Sequence, residues 1–284
     1  MRRRFFVDQF VGGHAVMEGE AAHHLGRVLR AERGQLYELS DGQRVCLARI
    51  EDVKRDRVEF SVIEELPTPK PTLQTTLLLS VVKFDAFEFA LEKATELGVG
   101  AIVPLAAARS EKALLAAAPK RAERWNKILL EASQQSRRVR LPALARLTKS
   151  EEAFSSHNDD EPLLIILSER ASAPSLRTIL EKGADWKPAL QDGDVKSPLQ
   201  NGDVPTESGY MASPLQTQAL EKGGQVTTAV LAIGPEGGWT DAEFECARQH
   251  GFCEASLGQL ILRAETAVIA ALAAVNYALS GKEQ

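Results

Sequence analysis

Two short segments near the C-terminus carry the residues best suited to chemistry. The first, Leu231-Ala232-Ile233-Gly234-Pro235-Glu236-Gly237-Gly238-Trp239-Thr240-Asp241-Ala242-Glu243, runs an apolar stretch through a glycine-rich turn into a helix start. Thr240 and Glu243 have capping-box spacing, in which hydroxyl and carboxylate satisfy each other's backbone donors. The loop is thereby confined to 234–239. Glycine-rich turns between a strand and a helix commonly hold phosphate. This one matches neither GxxxxGK followed by Ser or Thr nor GxGxxG, and Glu236 stands where an anion would sit. Any ligand must be read by bare backbone. Adenine, ribose and a sulfonium-bearing amino acid suit such a loop better than ATP does.

The second segment is Leu257-Gly258-Gln259-Leu260-Ile261-Leu262-Arg263-Ala264-Glu265-Thr266-Ala267. It leads into a helix with Val268, Leu272, Val275 and Leu279 on one face. Arg263, Glu265 and Thr266 crowd the start of that helix. An arginine is unfavourable against the positive end of a helix dipole, so it needs another reason to be there. It reads either as a local Arg-Glu pair or as a catalytic arginine beside a carboxylate, and the spacing leaves both open.

The elements that carry these loops follow from periodicity. Up to about residue 66, short alternating runs at 4–7, 35–39, 45–50 and 57–62 predict strands, and Glu20 to Leu29 predicts one helix with Ala21, Leu25 and Val28 on its inner face. Several short strands with one helix suggest a small barrel. The proline-spaced stretch Leu66-Pro67-Thr68-Pro69-Lys70-Pro71 marks a boundary near 70. Beyond it, apolar runs at 73–82, 101–105, 163–167 and 227–233 alternate with helical patterns, one capped by Asp85 and another opened by Pro119. That alternation predicts an α/β domain with a mostly parallel sheet over 71–284. Within it, PALQDGDV at 188–195 recurs as SPLQNGDV at 197–204, so 185–226 reads as a duplicated, flexible insertion.

The chain has 284 residues and a formal net charge of -5, which argues against coating nucleic acid by bulk charge but leaves room for local basic patches. Arg2, Arg3 and Arg4, Arg27 and Arg30, and Arg137 and Arg138 are such clusters, read here as RNA-binding. Three cysteines without CxxC spacing and five histidines without a ligand pattern predict neither disulfide nor metal. No 18-residue apolar span is present, and a cytoplasmic protein without membrane contact is expected.

Taken together, IGPEGG and LGxxILRAETA resemble the paired C-terminal motifs of SPOUT-type methyltransferases, most closely the ribosomal RNA small subunit methyltransferase E family. His23-His24-Leu25-Gly26-Arg27-Val28-Leu29-Arg30, the stretch Phe89 to Val99, Arg109-Ser110 and the stretch Arg124 to Arg137 are similar in order and spacing. The resemblance implies a PUA-like RNA-binding β-barrel over 1–70 and a SPOUT α/β domain with a C-terminal trefoil knot over 71–284. It also implies a homodimer that uses S-adenosylmethionine, without a metal, to methylate N3 of a uridine of 16S rRNA near the decoding region of the assembled small subunit. Methylation of a tRNA ribose 2′-hydroxyl and a non-catalytic role in assembly are the alternatives.

By motif match, Leu167, Ile233, Gly234, Glu236, Gly237, Gly238, Leu257, Gly258, Ile261, Leu262 and Thr266 would hold the cofactor, with Glu169 completing the pocket. Arg263, Glu265 and Glu236 would be catalytic. Two departures stand out: the 185–226 insertion is longer than usual, and Gly258-Gln259-Leu260 replaces a common Gly-Pro-Arg. The catalytic arginine therefore falls on Arg263.

Overall fold

The computed structural model describes residues 4–68, 71–157, 163–182 and 228–279. The expected insertion at 185–226 and two of the predicted RNA-binding residues, Arg2 and Arg3, lie outside the described residues.

The N-terminal sheet contains β1 (Arg4–Phe6), β2 (Phe10–Val11), β3 (His14–Glu18), β4 (Leu36–Ser40), β5 (Val45–Lys54) and β6 (Arg57–Leu66), in the order β1-β4-β5-β6-β3-β2. Phe5, Met17, Leu39, Ile50, Val58 and Phe60 face inward, as period-two alternation requires, and pack on Ala22 and Leu25. Ala22 belongs to α1 (Gly19–His23). Leu25 lies in a wider π-helical turn over His24–Val28, where the Leu29 N–H donates to the His24 carbonyl at 3.1 Å. Helical spacing puts Val28 inside with Leu25; instead it is 62% exposed, because the widened turn breaks that spacing.

The closed barrel expected from the sequence does not form. Among the described residues no ladder joins β1 to β2, so the sheet stays open. Only Val7, Asp8 and Gln9 connect these edges, which therefore lie within roughly 14 Å of each other and force the sheet to curl. Register shifts at Leu47/Ala48 and Ile50/Asp52 between β5 and β6 supply part of that curl. At three and two residues, β1 and β2 are too short to bridge the remaining gap.

The second sheet is built from β7 (Gln74–Ser80), β8 (Ala101–Ala106), β9 (Ala143–Leu144), β10 (Thr148–Lys149), β11 (Leu163–Leu167), β12 (Thr228–Ile233) and β13 (Cys253–Ala255). Its order is β10-β8-β7-β12-β11-β13, with β9 beside β8, and every ladder is parallel. Between the strands run α2 (Phe84–Glu96), α3 (Lys112–Ala117), α4 (Ala122–Gln135), α5 (Ser150–Ser155), α6 (Leu176–Lys182) and α7 (Asp241–Gln249), and α8 (Ala264–Leu279) follows β13. Leu77, Leu79, Leu231 and Ile233 face α2, α4, α6 and α8, whereas Leu78, Val230 and Ala232 face α5 and α7. Covering on both faces explains the continuous apolar character of these strands.

Two helix starts differ from expectation. Lys83, not Asp85, is the α2 N-cap; Asp85 lies in the first turn, where its charge favours the helix dipole. Pro119 belongs to a 3-10 turn over Ala118–Arg121, and α4 begins at Ala122.

The sheets meet at Glu38, which is 5% exposed. Its carboxylate accepts from Arg4 Nε at 3.1 Å and Nη2 at 2.8 Å, and from the Arg137 guanidinium. Arg137 follows the end of α4 with φ of 58°, a left-handed cap more often given to glycine. Ser40 adds a hydroxyl bond to the Val139 carbonyl at 2.6 Å.

Candidate active site

Three neighbouring strands end at one level. Ile166 pairs with Ala232 and Leu167 with Ala255, so the chain leaves β12, β11 and β13 side by side after Ile233, Leu167 and Ala255. Open parallel sheets bind ligands beyond the carboxyl ends of their strands, where connections diverge. The loops at 234–239 and 256–263 start two strand spacings apart, about 10 Å, with the 168–175 loop between them.

The 234–239 loop is gripped from both sides. Trp239 is buried, and its indole N–H donates to the Leu167 carbonyl at 3.0 Å. From the loop after β8, Arg109 Nη1 donates to the carbonyls of Gly237 at 2.9 Å and Trp239 at 3.2 Å. Sequence reasoning assigns these glycines to close approach by a ligand; protein neighbours also crowd the positions a Cβ would take. A Cβ at Gly234 would stand 3.0 Å from the Trp239 indole nitrogen, and one at Gly237 would stand 3.3 Å from Arg109 Cβ. Gly238 has φ of +68°, and a Cβ there would meet the Glu169 carboxylate at 3.0 Å. Its N–H closes the turn on the Pro235 carbonyl at 2.8 Å.

Behind the loop lies Glu243, 1% exposed. The capping box forms: Glu243 N–H donates to Thr240 Oγ1 at 3.2 Å and Thr240 N–H donates to Glu243 Oε2 at 2.9 Å. The same carboxylate also accepts from the Ala108 N–H and the Ser150 hydroxyl, each at 2.9 Å. Burial pushes this carboxyl up, but the backbone N–H groups of Thr240 and Ala108 and the two hydroxyls outweigh it and hold the pKa below its usual 4.5. Arg170 stacks 3.9 Å over the Phe244 ring and pairs with Asp241, fastening the 168–175 loop to α7.

The 256–263 segment is more open. Ser256 Oγ donates to the Gly258 carbonyl at 2.9 Å, and Gly258 has φ of +135° with nothing within 4 Å of where a Cβ would lie. Leu257 and Leu262 pack on the core, while Leu260 and Ile261 are 81% and 79% exposed. Arg263 is exposed immediately before α8, and its carbonyl accepts from the Ala267 N–H. Among the described residues Arg263 makes no ion pair with Glu265, Glu236 or any other carboxylate. The local Arg-Glu pair is absent. Glu265 is half-buried, and Glu236 and Thr266 are exposed.

The predicted RNA-binding arginines separate into two groups. Arg4 and Arg137 are bound to Glu38, and Arg138 donates to the Thr95 carbonyl at 2.8 Å, with burial lowering its pKa. Arg4 and Arg137 stabilise the junction between the sheets, and Arg138 braces the end of α2. Arg27 and Arg30 are exposed beside the π-helical turn. The sequence reading missed Arg109 and Trp239 as loop-holding residues; Arg109-Ser110 enters it only as a family-like dipeptide. Among the described residues no group of three or more His, Cys, Asp or Glu could hold a metal, and no helix is long and apolar enough to cross a membrane.

The parallel sheet with its carboxyl-end loops corresponds to an RNA methyltransferase domain: the family model of that description matches residues 68–190 and 201–276. More narrowly, the chain belongs to the ribosomal RNA small subunit methyltransferase E family. It is 30% identical over 272 residues to the protein of that name from Synechocystis sp., covering 95% of this chain and 75% of the relative. With the Bacillus subtilis protein of the same name it shares 28% identity over 267 residues, covering 91% and 88%. A crystal structure of ribosomal RNA small subunit methyltransferase E from Neisseria gonorrhoeae bound to S-adenosyl methionine superposes with a TM-score of 0.74. It is 27% identical, and the match covers 98% of both chains.

Proposed function

We propose that this protein is a cytoplasmic methyltransferase that modifies N3 of a uridine of 16S rRNA in the decoding region of the assembled small subunit, with S-adenosylmethionine as methyl donor. The observation that carries this reading is the placing of two loops at the carboxyl ends of β12 and β13, on either side of β11, with an exposed arginine that lacks a carboxylate partner among the described residues. The donor set fits an adenosyl and sulfonium ligand. It offers main-chain groups at Gly234, Gly237, Gly238 and Gly258, apolar contact from Leu167, Ile233, Leu257, Ile261 and Leu262, and a hydroxyl at Thr266. Glu236 can accept from the ligand's ammonium or hydroxyl groups.

When bound, the cofactor supplies an electrophilic methyl on a sulfonium. Uracil N3 bears a proton and becomes nucleophilic only as that proton leaves. Arg263 stabilises negative charge developing on the uracil oxygens, and Glu265 or Glu236 accepts the N3 proton or orients the base. Arg27 and Arg30, together with Arg2 and Arg3, bind RNA phosphates.

We take residues 1–70 as a PUA-like RNA-binding domain and 71–284 as the catalytic domain. The C-terminal trefoil knot is part of this proposal. Family membership supports it, as does the insertion of β12 between the earlier strands β7 and β11. The homodimer is supported by the exposed apolar residues Leu260, Ile261 and Tyr277 on and beside α8.

The deciding experiment is methyl transfer to small subunits lacking the modification, with mapping of the product nucleotide. A 3-methyluridine in 16S rRNA is the expected result. Inert small subunits with ribose methylation of tRNA in a parallel reaction would replace this reading with a 2′-hydroxyl methyltransferase, and no donor binding by calorimetry would replace it with a non-catalytic assembly factor.

A further inference from the structure

We propose that Arg109 is a positioning residue for the methyl donor: it holds the 234–239 loop so that the Glu236 and Gly237 amides face the ligand. The inference rests on the cofactor reading above. Arg109 Nη1 reaches two carbonyls of the loop, those of Gly237 and Trp239. Each belongs to a peptide unit whose N–H is also tied down. The Gly238 N–H donates to the Pro235 carbonyl and the Thr240 N–H to Glu243 Oε2. Both peptide planes are therefore fixed at both ends, with a guanidinium on one side.

Just before them in the chain, the Glu236 and Gly237 N–H groups make no hydrogen bond among the described residues, and both residues are exposed. They are the amides left for a ligand. Arg109 itself makes no ion pair among the described residues, and its side-chain hydrogen bonds go to carbonyl oxygens. The Glu169 carboxylate and the Arg109 guanidinium both crowd Gly238, 3.0 Å and 4.0 Å from where a Cβ would lie, and a Cβ at Gly237 would press on Arg109 at 3.3 Å. Without the guanidinium, the loop stays anchored at Trp239 and Thr240, but the 235–238 turn keeps only its internal bond and can rotate its free amides away.

Arginine suits this task better than lysine because the two N–H bonds of Nη1 are held in the guanidinium plane, whereas an ammonium rotates freely on a flexible stem. The effect belongs to donor binding, since Arg109 is assigned no contact with the reacting atoms.

The test uses the full-length protein, Arg109→Ala and Arg109→Lys, with S-adenosylmethionine titrated by calorimetry and methyl transfer measured on unmodified small subunits. Arg109→Ala should bind the donor about tenfold or more weakly, the loss of roughly one charge-assisted hydrogen bond's contribution. The loss should appear in the donor KM, with kcat at saturating donor lowered no more than about threefold. Arg109→Lys should recover part of the affinity. Wild-type donor affinity in Arg109→Ala would overturn the proposal, as would a loss confined to kcat. Should Arg109→Ala fail to fold, Arg109→Lys carries the test: affinity and KM equal to wild type would overturn it. A wild-type protein that binds no donor would instead overturn the functional reading, before any variant is made.

Discussion

Trp239 and Leu167 are joined by a buried 3.0 Å hydrogen bond that ties the loop after β12 to the end of β11. Trp239→Phe keeps an aromatic ring against Phe154, whose centroid lies 5.8 Å away, but deletes the donor. It should lower the unfolding free energy by about 1 kcal/mol. Urea denaturation with unchanged slope and a lower midpoint checks this; an unchanged midpoint would show that the bond adds nothing.

At the junction of the sheets, Glu38→Gln removes the charge that faces Arg4 and Arg137. Breaking a fully buried pair costs about 3–5 kcal/mol, but the Arg137 side chain is 40% exposed, so a loss of about 2 kcal/mol is expected. The same denaturation assay measures it. Arg137→Gly separates pairing from backbone strain: it loses the ion pair but relieves the left-handed conformation, and should be the milder change.

Acid stability should depend on Glu243. Its folded pKa lies below the ordinary 4.5, so its contribution is fully present above that value and is lost as pH falls through the folded value. Glu243→Gln should be less stable near neutrality and show a flatter decline as the pH falls below the ordinary carboxyl range. Parallel curves for the two proteins would exclude Glu243 as a source of the acid dependence.

For catalysis, Arg263→Ala should reduce methyl transfer on the order of a hundredfold, about 3 kcal/mol, while calorimetric donor affinity stays within a few-fold. Turnover equal to wild type at saturating donor would remove Arg263 from the reaction.

For RNA contact, the Arg27→Glu and Arg30→Glu double variant should bind small subunits more weakly and with a shallower salt dependence. Arg4→Glu should act chiefly on stability, since Arg4 is held by Glu38. Binding that is indifferent to Arg27 and Arg30 would place the RNA elsewhere.

Local features were the legible ones. β11 matches its expected bounds because Leu163 to Leu167 is wholly apolar and fully buried. The capping box at Thr240 and Glu243 formed as read, since both partners lie within one helical turn. The α8 stripe places Val268, Leu272 and Val275 in the core. What escaped depends on distant partners. Arg4 and Arg137 look like members of basic runs, yet their acceptor Glu38 lies 34 and 99 residues away. Arg109 meets the glycine loop across 128 residues. The π-helical turn that exposes Val28 leaves no periodic signature, because it lengthens one turn without changing residue types.

The strand order has a consequence for synthesis on the ribosome. β12, which emerges late, takes a place between β7 and β11, both made well before it. A nascent chain that stops short of residue 228 must present two unsatisfied apolar strand flanks, each a template for sticking to another chain. Closing that seam joins segments far apart in sequence, a slow event by contact order. Premature termination or slow translation just upstream of 228 should therefore yield sticky, chaperone-dependent fragments and no half-working enzyme.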